Sequence, residues 1–277
     1  MDNFIELKHT ALQIRKDIIK MLHAAKSGHP GGSLSEVEII TALFFDILKK
    51  DPDNPAWEER DRFVLSKGHG VPTLYAALAR SGYFPVEELM NLRKLGSPLQ
   101  GHPDYSRLPA VEASTGSLGQ GLSIAIGMAL AARQNGLDYH TFCLMGDGES
   151  DEGQIWEAAL FASHHNLTNL TAIVDYNKFQ LDGAIDKILG LEPFESKWKD
   201  FGWKTVRIDG HDMKQVVETL RIAYDDDDNN YAIIADTVKG SGVSFMENDN
   251  GYHGVAPDDD ELERALKELE EQEERLG

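Results

Sequence analysis

The sequence predicts an α/β fold of three layers, in which a parallel sheet is covered by helices on both faces. The main observation is an alternation, in the second half of the chain, of short apolar runs with amphipathic stretches of helical length. No internal repeat or low-complexity linker interrupts this alternation. A chain of 277 residues is also long enough to bury the core that such a domain needs. We therefore expect one three-layer domain with additional helices at its N-terminus.

The N-terminal part of the chain is predicted to be mainly helical. Residues 4–26 place isoleucine and leucine near a 3.6-residue period, and the SGHPGG segment at 27–32 ends this helix. Ser35 is predicted to cap a second apolar helix, because Glu36 and Glu38 then occupy its first turn.

Five apolar runs bounded by turn residues predict the strands of the sheet. They lie at residues 62–66, 140–146, 170–177, 204–210 and 231–240. Helices are predicted around Tyr75 and at residues 123–136, 153–166, 194–201, 211–224 and 258–275. The helix at 123–136 is so apolar that we expect it to be buried between layers. The last helix is rich in glutamate, and its one apolar face is formed by Leu262, Ala265, Leu266 and Leu269.

The composition argues against several classes of protein. The net charge is −20, from 27 basic and 47 acidic side chains, and such a surface repels the phosphate backbone of nucleic acids. Cys143 is the only cysteine, so an intrachain disulfide is impossible. Neither a signal peptide nor an apolar stretch of about 18 residues is visible. We expect a cytoplasmic protein that binds neither membranes nor nucleic acid.

Polar residues follow two of the predicted strands, in the segments GDGESDEG (146–153) and DYNKFQLDG (175–183). In open parallel sheets, ligands bind beyond the carboxyl ends of the strands. The carboxylate of Asp147, the amide oxygen of Asn177 and a backbone carbonyl near Phe179 would offer Mg²⁺ three of its about six oxygens. Phosphate oxygens of a ligand and a water would complete the shell. The spacing thus predicts a site for a metal-bound phosphorylated ligand.

A GDG segment followed by an asparagine, with residues 149–176 between them, resembles the thiamine-diphosphate motif. Further segments resemble the N-terminal domain of transketolases, in the same order along nearly the whole chain: SGHPGG (27–32), LSKGHG (65–70), GHP (101–103), TGSLGQG (115–121) and KGSGVSFMEN with YHG (239–254). The resemblance implies a thiamine-diphosphate-binding fold, with residues 1–257 as the cofactor-binding domain and 258–277 as a charged helix of the same unit. Tyr176 departs from the asparagine that often precedes the metal-binding one.

The resemblance also implies the roles of individual residues. Those expected to bind thiamine diphosphate are His69, Gly116, Leu118, Gly148, Asn177, Leu181 and His253. Mg²⁺, for which Ca²⁺ or Mn²⁺ can substitute, is expected at Asp147, Asn177 and the backbone of Phe179. His29, His102 and His253 are expected to be catalytic, since an imidazole can exchange protons with sugar hydroxyls near neutral pH. Glu152 is expected at a contact between paired active sites.

By the same resemblance, the expected reaction is transfer of a two-carbon ketol unit from a ketose phosphate to an aldose phosphate, as in the pentose phosphate pathway. In transketolases the glutamate that activates the cofactor, and the arginines that bind the substrate phosphate, belong to a later domain. We expect that domain on a separate C-terminal subunit, so that this chain is inactive alone and works in an α₂β₂ heterotetramer. Alternatives are a deoxyxylulose-phosphate synthase-like subunit, the α subunit of a 2-oxo-acid dehydrogenase, and a non-catalytic regulatory subunit that binds the cofactor. The two Gly-His-Pro segments favour transketolase over the dehydrogenase.

Overall fold

The strands of the computed structural model, which describes residues 4–277, are β1 (Arg62–Leu65), β2 (Thr141–Gly146), β3 (Leu170–Tyr176), β4 (Phe179–Gln180), β5 (Gly183–Ala184), β6 (Lys204–Asp209) and β7 (Tyr231–Asp236). Five of them form a parallel sheet in the order β1-β2-β3-β7-β6, and β4 and β5 form a separate antiparallel hairpin. The predicted parallel sheet is confirmed with all five of its strands. The small hairpin was not predicted.

The α-helices are α1 (Phe4–Ala25), α2 (Pro30–Ser35), α3 (Val37–Ala42), α4 (Val71–Arg80), α5 (Gln120–Asn135), α6 (Gly153–His164), α7 (Ile185–Ile188), α8 (Phe194–Asp200), α9 (Met213–Asp225) and α10 (Asp259–Leu276). They cover both faces of the sheet. Phe142 and Leu144 of β2 pack in a core with α1, α4 and α9, whereas Cys143 and Met145 pack on the opposite side with α5 and α6. A strand buried on both faces is apolar on both sides, which explains the nearly continuous apolar run of β2. The three-layer prediction is confirmed.

Three local predictions are wrong. Ser35 does not cap a helix but ends α2, and its hydroxyl donates to the carbonyl of Gly32 and to Asp175. Helix α5 buries only the face that meets the sheet, and Gly127 on its outer face is exposed. The last strand ends at Asp236 rather than at residue 240, because the backbone N–H of Val238 donates to the His211 ring instead of a neighbouring strand.

The C-terminal helix α10 packs against α1. Asp258 and Glu261 form a capping box at its start, and Glu273 accepts hydrogen bonds from Gln13 and Lys16 of α1 at 2.7 and 2.6 Å. Of its predicted apolar face, Ala265 and Leu269 are fully buried, and Leu262 and Leu266 are partly buried. Among residues 4–277, no helix combines the length and the apolar character needed to cross a membrane.

Candidate functional site

A cleft of about 410 Å³ opens beyond the carboxyl ends of β2 and β3. Gly146, the last residue of β2, pairs in register with Asp175 of β3, so Asp147 and Asn177 emerge side by side at the same edge of the sheet. The lining of the cleft includes nine of the residues predicted from the sequence, namely His69, Leu118, Asp147, Gly148, Glu152, Asn177, Phe179, Leu181 and His253. The parallel register therefore builds the cleft where the two polar segments predicted it.

Asp147 lies at the floor of this cleft with only 1% of its surface exposed. One carboxylate oxygen accepts the backbone N–H of Gly148 at 2.7 Å, and the other accepts the backbone N–H of Lys178. Burial, followed by the negative charge of Asp175, raises the pKa of Asp147 to about 7. A buried carboxylate that resists ionisation for these reasons is a favourable partner for a bound cation.

Asn177 is oriented by its neighbours. Its amide nitrogen donates to Asp175 at 3.0 Å, and its amide oxygen accepts the backbone N–H of Phe179 at 3.1 Å. A carboxylate, an amide oxygen and the nearby carbonyl of Phe179 are hard oxygen donors of the kind that Mg²⁺ selects. The residues present therefore fit a Mg²⁺ ion that takes its remaining ligands from phosphate and water.

Four histidines from distant parts of the sequence meet beside the cleft. The ring centroids of His29, His69 and His253 lie 5.3 to 5.6 Å apart, and the ring of His102 lies 6.3 Å from that of His29. The motifs containing these residues span most of the chain, yet the fold brings all four together. Such a cluster can present several hydrogen-bonding nitrogens to one polar ligand.

The histidine cluster is uncharged near neutral pH. Burial, followed by the charge of Arg93, lowers the pKa of His29 to about 4. Burial, followed by the charge of Lys239, lowers the pKa of His253 to about 4. The pKa values of the other two imidazoles are also lowered, again chiefly by burial. Each neutral ring therefore carries one N–H donor and one nitrogen acceptor, although Nδ1 of His253 already faces the Lys239 ammonium group at 2.9 Å.

The model of the family described as transketolase, thiamine diphosphate binding domain, matches residues 7–274. The chain belongs to the transketolase family. The 6-deoxy-6-sulfo-D-fructose transketolase subunit SqwG of Clostridium sp. (strain MSTE9) is 46% identical over 268 residues, which cover 97% of this chain and 98% of that relative. An apulose-4-phosphate transketolase subunit of Phocaeicola vulgatus is 40% identical over 262 residues, covering 95% of this chain and 93% of the relative.

Solved transketolases have the same fold. The transketolase from Campylobacter jejuni superposes with a TM-score of 0.90 at 33% identity, and the R525L mutant of the Pichia stipitis transketolase with 0.90 at 31%. The chain spans 43% and 40% of the lengths of these two proteins. The predicted resemblance to the N-terminal domain of transketolases is therefore confirmed, and the rival thiamine-diphosphate enzymes lose support.

Two buried lysines of this transketolase domain were missed by the sequence analysis. Lys67 Nζ lies 2.7 Å from carboxylate oxygens of both Glu36 and Asp175. Burial alone would lower the pKa of Lys67, but these two carboxylates raise it above its ordinary value. Lys239 Nζ lies 2.9 Å from Nδ1 of His253. A lysine shortly after an apolar strand, as in both cases, was the signal that could have identified them.

Glu149 is a third missed residue, and it joins three loops of the transketolase cleft. One carboxylate oxygen accepts the hydroxyl of Ser66 and the backbone N–H of Gly119, and the other accepts the backbone N–H of Gly146 at 3.0 Å. The loops after β1, before α5 and after β2 are thus held to a single side chain. In the sequence, Glu149 looked like one more acidic residue of an acidic segment.

Two glycines allow close approaches in these loops. A Cβ at Gly148 would lie 2.7 Å from Cβ of Gln180. A Cβ at Gly116, which has φ +140°, would lie 2.9 Å from the His102 ring. Glycine at Gly116 therefore lets the loop carrying Leu118 lie against the histidine cluster.

Two of the predicted lining residues, Leu181 and Glu152, are exposed at the rim of the cleft. Leu181, which is expected to contact the cofactor, is 65% exposed in this chain. Glu152 is exposed just before α6, and its side chain makes no capping hydrogen bond to that helix. Both residues are accessible from outside the chain.

Proposed function

We propose that this chain is the cofactor-binding subunit of a two-chain transketolase of the cytoplasm. The proposed reaction moves a two-carbon ketol unit from a ketose phosphate to an aldose phosphate. The observation that carries the proposal is that Asp147 and Asn177 lie in one cleft with the neutral imidazoles of His69 and His253, and that two further neutral imidazoles lie beside it. Oxygen ligands for a hard cation beside uncharged donors and acceptors suit a metal-bound diphosphate next to a sugar. The names of the two similar relatives, both transketolase subunits, support the same conclusion.

In the proposal, Asp147, Asn177 and the carbonyl of Phe179 hold Mg²⁺, and Ca²⁺ or Mn²⁺ can replace it. Thiamine diphosphate, when bound, supplies the electron sink for breaking and forming the carbon–carbon bond. Gly148 leaves space for the diphosphate at the turn after β2. Gly116 and Leu118, in the glycine-rich loop, contact the cofactor, and so does Leu181. The protein's part is thus to fix and orient the cofactor.

The histidines divide into two pairs in this proposal. His69 and His253 donate hydrogen bonds to the diphosphate, and the ammonium group of Lys239 beside His253 adds positive charge. His29 and His102 contact the sugar and exchange protons with its hydroxyl groups. Because these rings are neutral near pH 7, each can accept a proton without first losing one.

The proposed partner is a separate C-terminal subunit that carries the glutamate activating the cofactor, in an α₂β₂ assembly. The names of the two similar relatives support a partner, because each is a subunit of a transketolase. The exposure of Leu181 and Glu152 at the rim of the cleft agrees with further chains contacting this edge.

The test compares three samples, each with thiamine diphosphate and Mg²⁺: the purified chain, a purified C-terminal transketolase subunit, or the mixture of the two. Ketol transfer from a ketose phosphate should occur only in the mixture. Replacing both Asp147 and Asn177 by alanine should abolish the calorimetric heat of cofactor binding to the mixture. Asp182→Asn, which removes another carboxylate lining the cleft, should preserve it. Transfer by the chain alone would refute the two-chain proposal, and turnover of pyruvate instead of a ketose would indicate a synthase.

A further inference from the structure

Arg93 contacts both turns that carry a Gly-His-Pro segment. Its Nη1 donates to the hydroxyl of Ser27 at 3.3 Å, next to the first segment, and its Nη2 donates to the carbonyl of Gly101 at 3.4 Å, in the second. A Cβ at Gly101 would lie 2.7 Å from Cζ of Arg93, and one at Gly28 would lie 3.8 Å from its Nε. The glycine before the second histidine therefore makes the space in which the guanidinium lies.

Arg93 is also unusual in its charge environment and its backbone. The chain has 47 acidic and 27 basic side chains, yet within the described residues 4–277 the half-buried Arg93 forms no ion pair with a carboxylate. Its φ angle of +60° lies in the left-handed region, which a non-glycine residue rarely adopts. Its backbone N–H donates to Leu99 at 2.8 Å and closes the loop that follows. Residues held in sparsely populated backbone regions cluster at functional sites.

Building on the proposed function, we propose that Arg93 is a positioning residue of the substrate channel. It joins the two turns that carry His29 and His102 and places one fixed positive charge beside both rings. Arg93 itself does not exchange protons in the reaction. Its contribution is the placement and the protonation state of the two histidines.

The groups around each histidine support this assignment. His29 faces the rings of His69, His102 and His253, and the charges of Arg93 and Lys239 reach it. Its Nδ1 is buried without a hydrogen-bond partner in the described structure, so this nitrogen is available to a ligand.

His102 has fewer charged neighbours. Its ring lies against Gly116 and faces His29, and its backbone carbonyl accepts the hydroxyl of Tyr75 at 3.3 Å. After burial, the charge that lowers the pKa of His102 is that of Arg93. Arg93 is therefore the cation whose field both channel histidines share.

The first test measures the titration of the histidine rings by NMR in the isolated chain, with His29→Gln and His102→Gln used to assign the signals. In Arg93→Met, the midpoints of His29 and His102 should both rise by about half a pH unit, because a nearby positive charge no longer opposes protonation. In Arg93→Lys, which keeps the positive charge, the two midpoints should lie close to their wild-type values. Arg107→Met is the matched control, since Arg107 follows His102 closely in sequence but is half-exposed and paired with Asp104 at 3.4 Å.

A second test uses the chain with its C-terminal subunit. The acidic limb of the profile of kcat against pH should move upward in Arg93→Met by the same amount, and Arg93→Lys should restore it. If Arg93→Met does not fold, Arg93→Gln replaces it, because glutamine keeps hydrogen bonding without the charge. Unshifted His29 and His102 in a folded variant, or an equal shift in Arg107→Met, would overturn the role of Arg93. The NMR test requires no turnover, so a negative NMR result would leave the proposed function intact. Absence of ketol transfer by the wild-type mixture would refute the proposed function but not the role of Arg93.

Discussion

The side-chain amide of Asn177 donates a 3.0 Å hydrogen bond to Oδ2 of Asp175, two residues earlier in the chain. The same oxygen accepts Lys67 Nζ at 2.7 Å and the hydroxyl of Ser35 at 2.6 Å. Asp175 therefore connects a proposed metal ligand to the buried ionic group beneath the cleft. A supporting carboxylate of this kind fixes the direction in which a ligand atom points before the metal arrives.

We predict that Asp175→Asn destabilises the protein and weakens cofactor binding. Lys67 would keep only Glu36, whose carboxyl group is held mostly protonated at neutral pH by burial, and breaking the buried pair with Asp175 costs about 3 kcal/mol or more. Urea unfolding measures the first effect and calorimetry with thiamine diphosphate and Mg²⁺ the second. The control is Asp236→Asn, which breaks a more exposed pair with Arg207 and should cost about 1 kcal/mol. Equal losses in the two variants would contradict the prediction.

The protonation of Glu36 predicts a pH dependence of stability. Burial raises the pKa of Glu36 to about 8, well above its ordinary value of 4.5, so over this interval the folded state keeps a proton that the unfolded chain has released. The contribution of Glu36 to stability is complete below pH 4.5 and is lost as the pH rises through about 8, by at most about 1.4 kcal/mol per pH unit. Glu36→Gln should flatten this decline in urea unfolding measured at several pH values.

The matched control for that experiment is Glu38→Gln. Burial opposes the ionisation of Glu38, but the charge of Arg15 outweighs it and lowers the pKa of Glu38 to about 2. The stability that Glu38 contributes is therefore present above pH 4.5 and is lost as the pH falls through about 2. Glu38→Gln should leave unchanged the decline of the unfolding free energy with pH above pH 5. If Glu38→Gln also flattened this decline, Glu36 would not be the source of the decline.

Lys239→Met should lower the affinity of the reconstituted enzyme for thiamine diphosphate by about tenfold or more, the loss expected for one charge-assisted hydrogen bond. Burial lowers the pKa of Lys239 only to about 8, so the side chain is still mostly charged at pH 7. Lys178→Met is the control, because Lys178 is 57% exposed and lies 3.9 Å from Asp236. Calorimetry at constant Mg²⁺ compares the two variants, and equal affinities would exclude Lys239 from the diphosphate site.

Gly148→Ala should weaken cofactor binding strongly, because its Cβ would lie 2.7 Å from Cβ of Gln180 and displace the turn or the hairpin. Gly153→Ala is the matched control five residues later. A Cβ at Gly153 meets nothing within 4 Å, and alanine in this first helical position should be neutral or stabilise the protein by about 0.5 kcal/mol. Thermal unfolding and cofactor titration separate the two effects, and unchanged affinity in Gly148→Ala would rule out a tight approach at this turn.

The sequence predicted the sheet well, because strands buried on both faces leave continuous apolar runs whose ends fall near polar residues. It also predicted the residues of the cleft, since Asp147, Asn177 and the histidines lie in motifs of distinctive spacing. The ionic group of Glu36 and Lys67 could not be predicted, because lysine and glutamate are ordinarily exposed and their burial depends on contacts between distant segments. The exposure of the outer face of α5 could not be predicted either, since an apolar composition does not specify which elements pack against a helix.

Because Gly146 pairs with Asp175, the proposed cofactor site forms only through contacts between distant parts of the chain. Asp147 and Asn177, separated along the chain by all of α6, become neighbours only when β2 and β3 have paired. An unfolded chain therefore cannot present the proposed metal site, and a ligand that requires both residues binds only the native state. At a free concentration of about a hundred times its Kd, such a ligand stabilises the fold by about 2.7 kcal/mol. The concentration of free thiamine diphosphate would thus affect the fraction of the subunit that is folded.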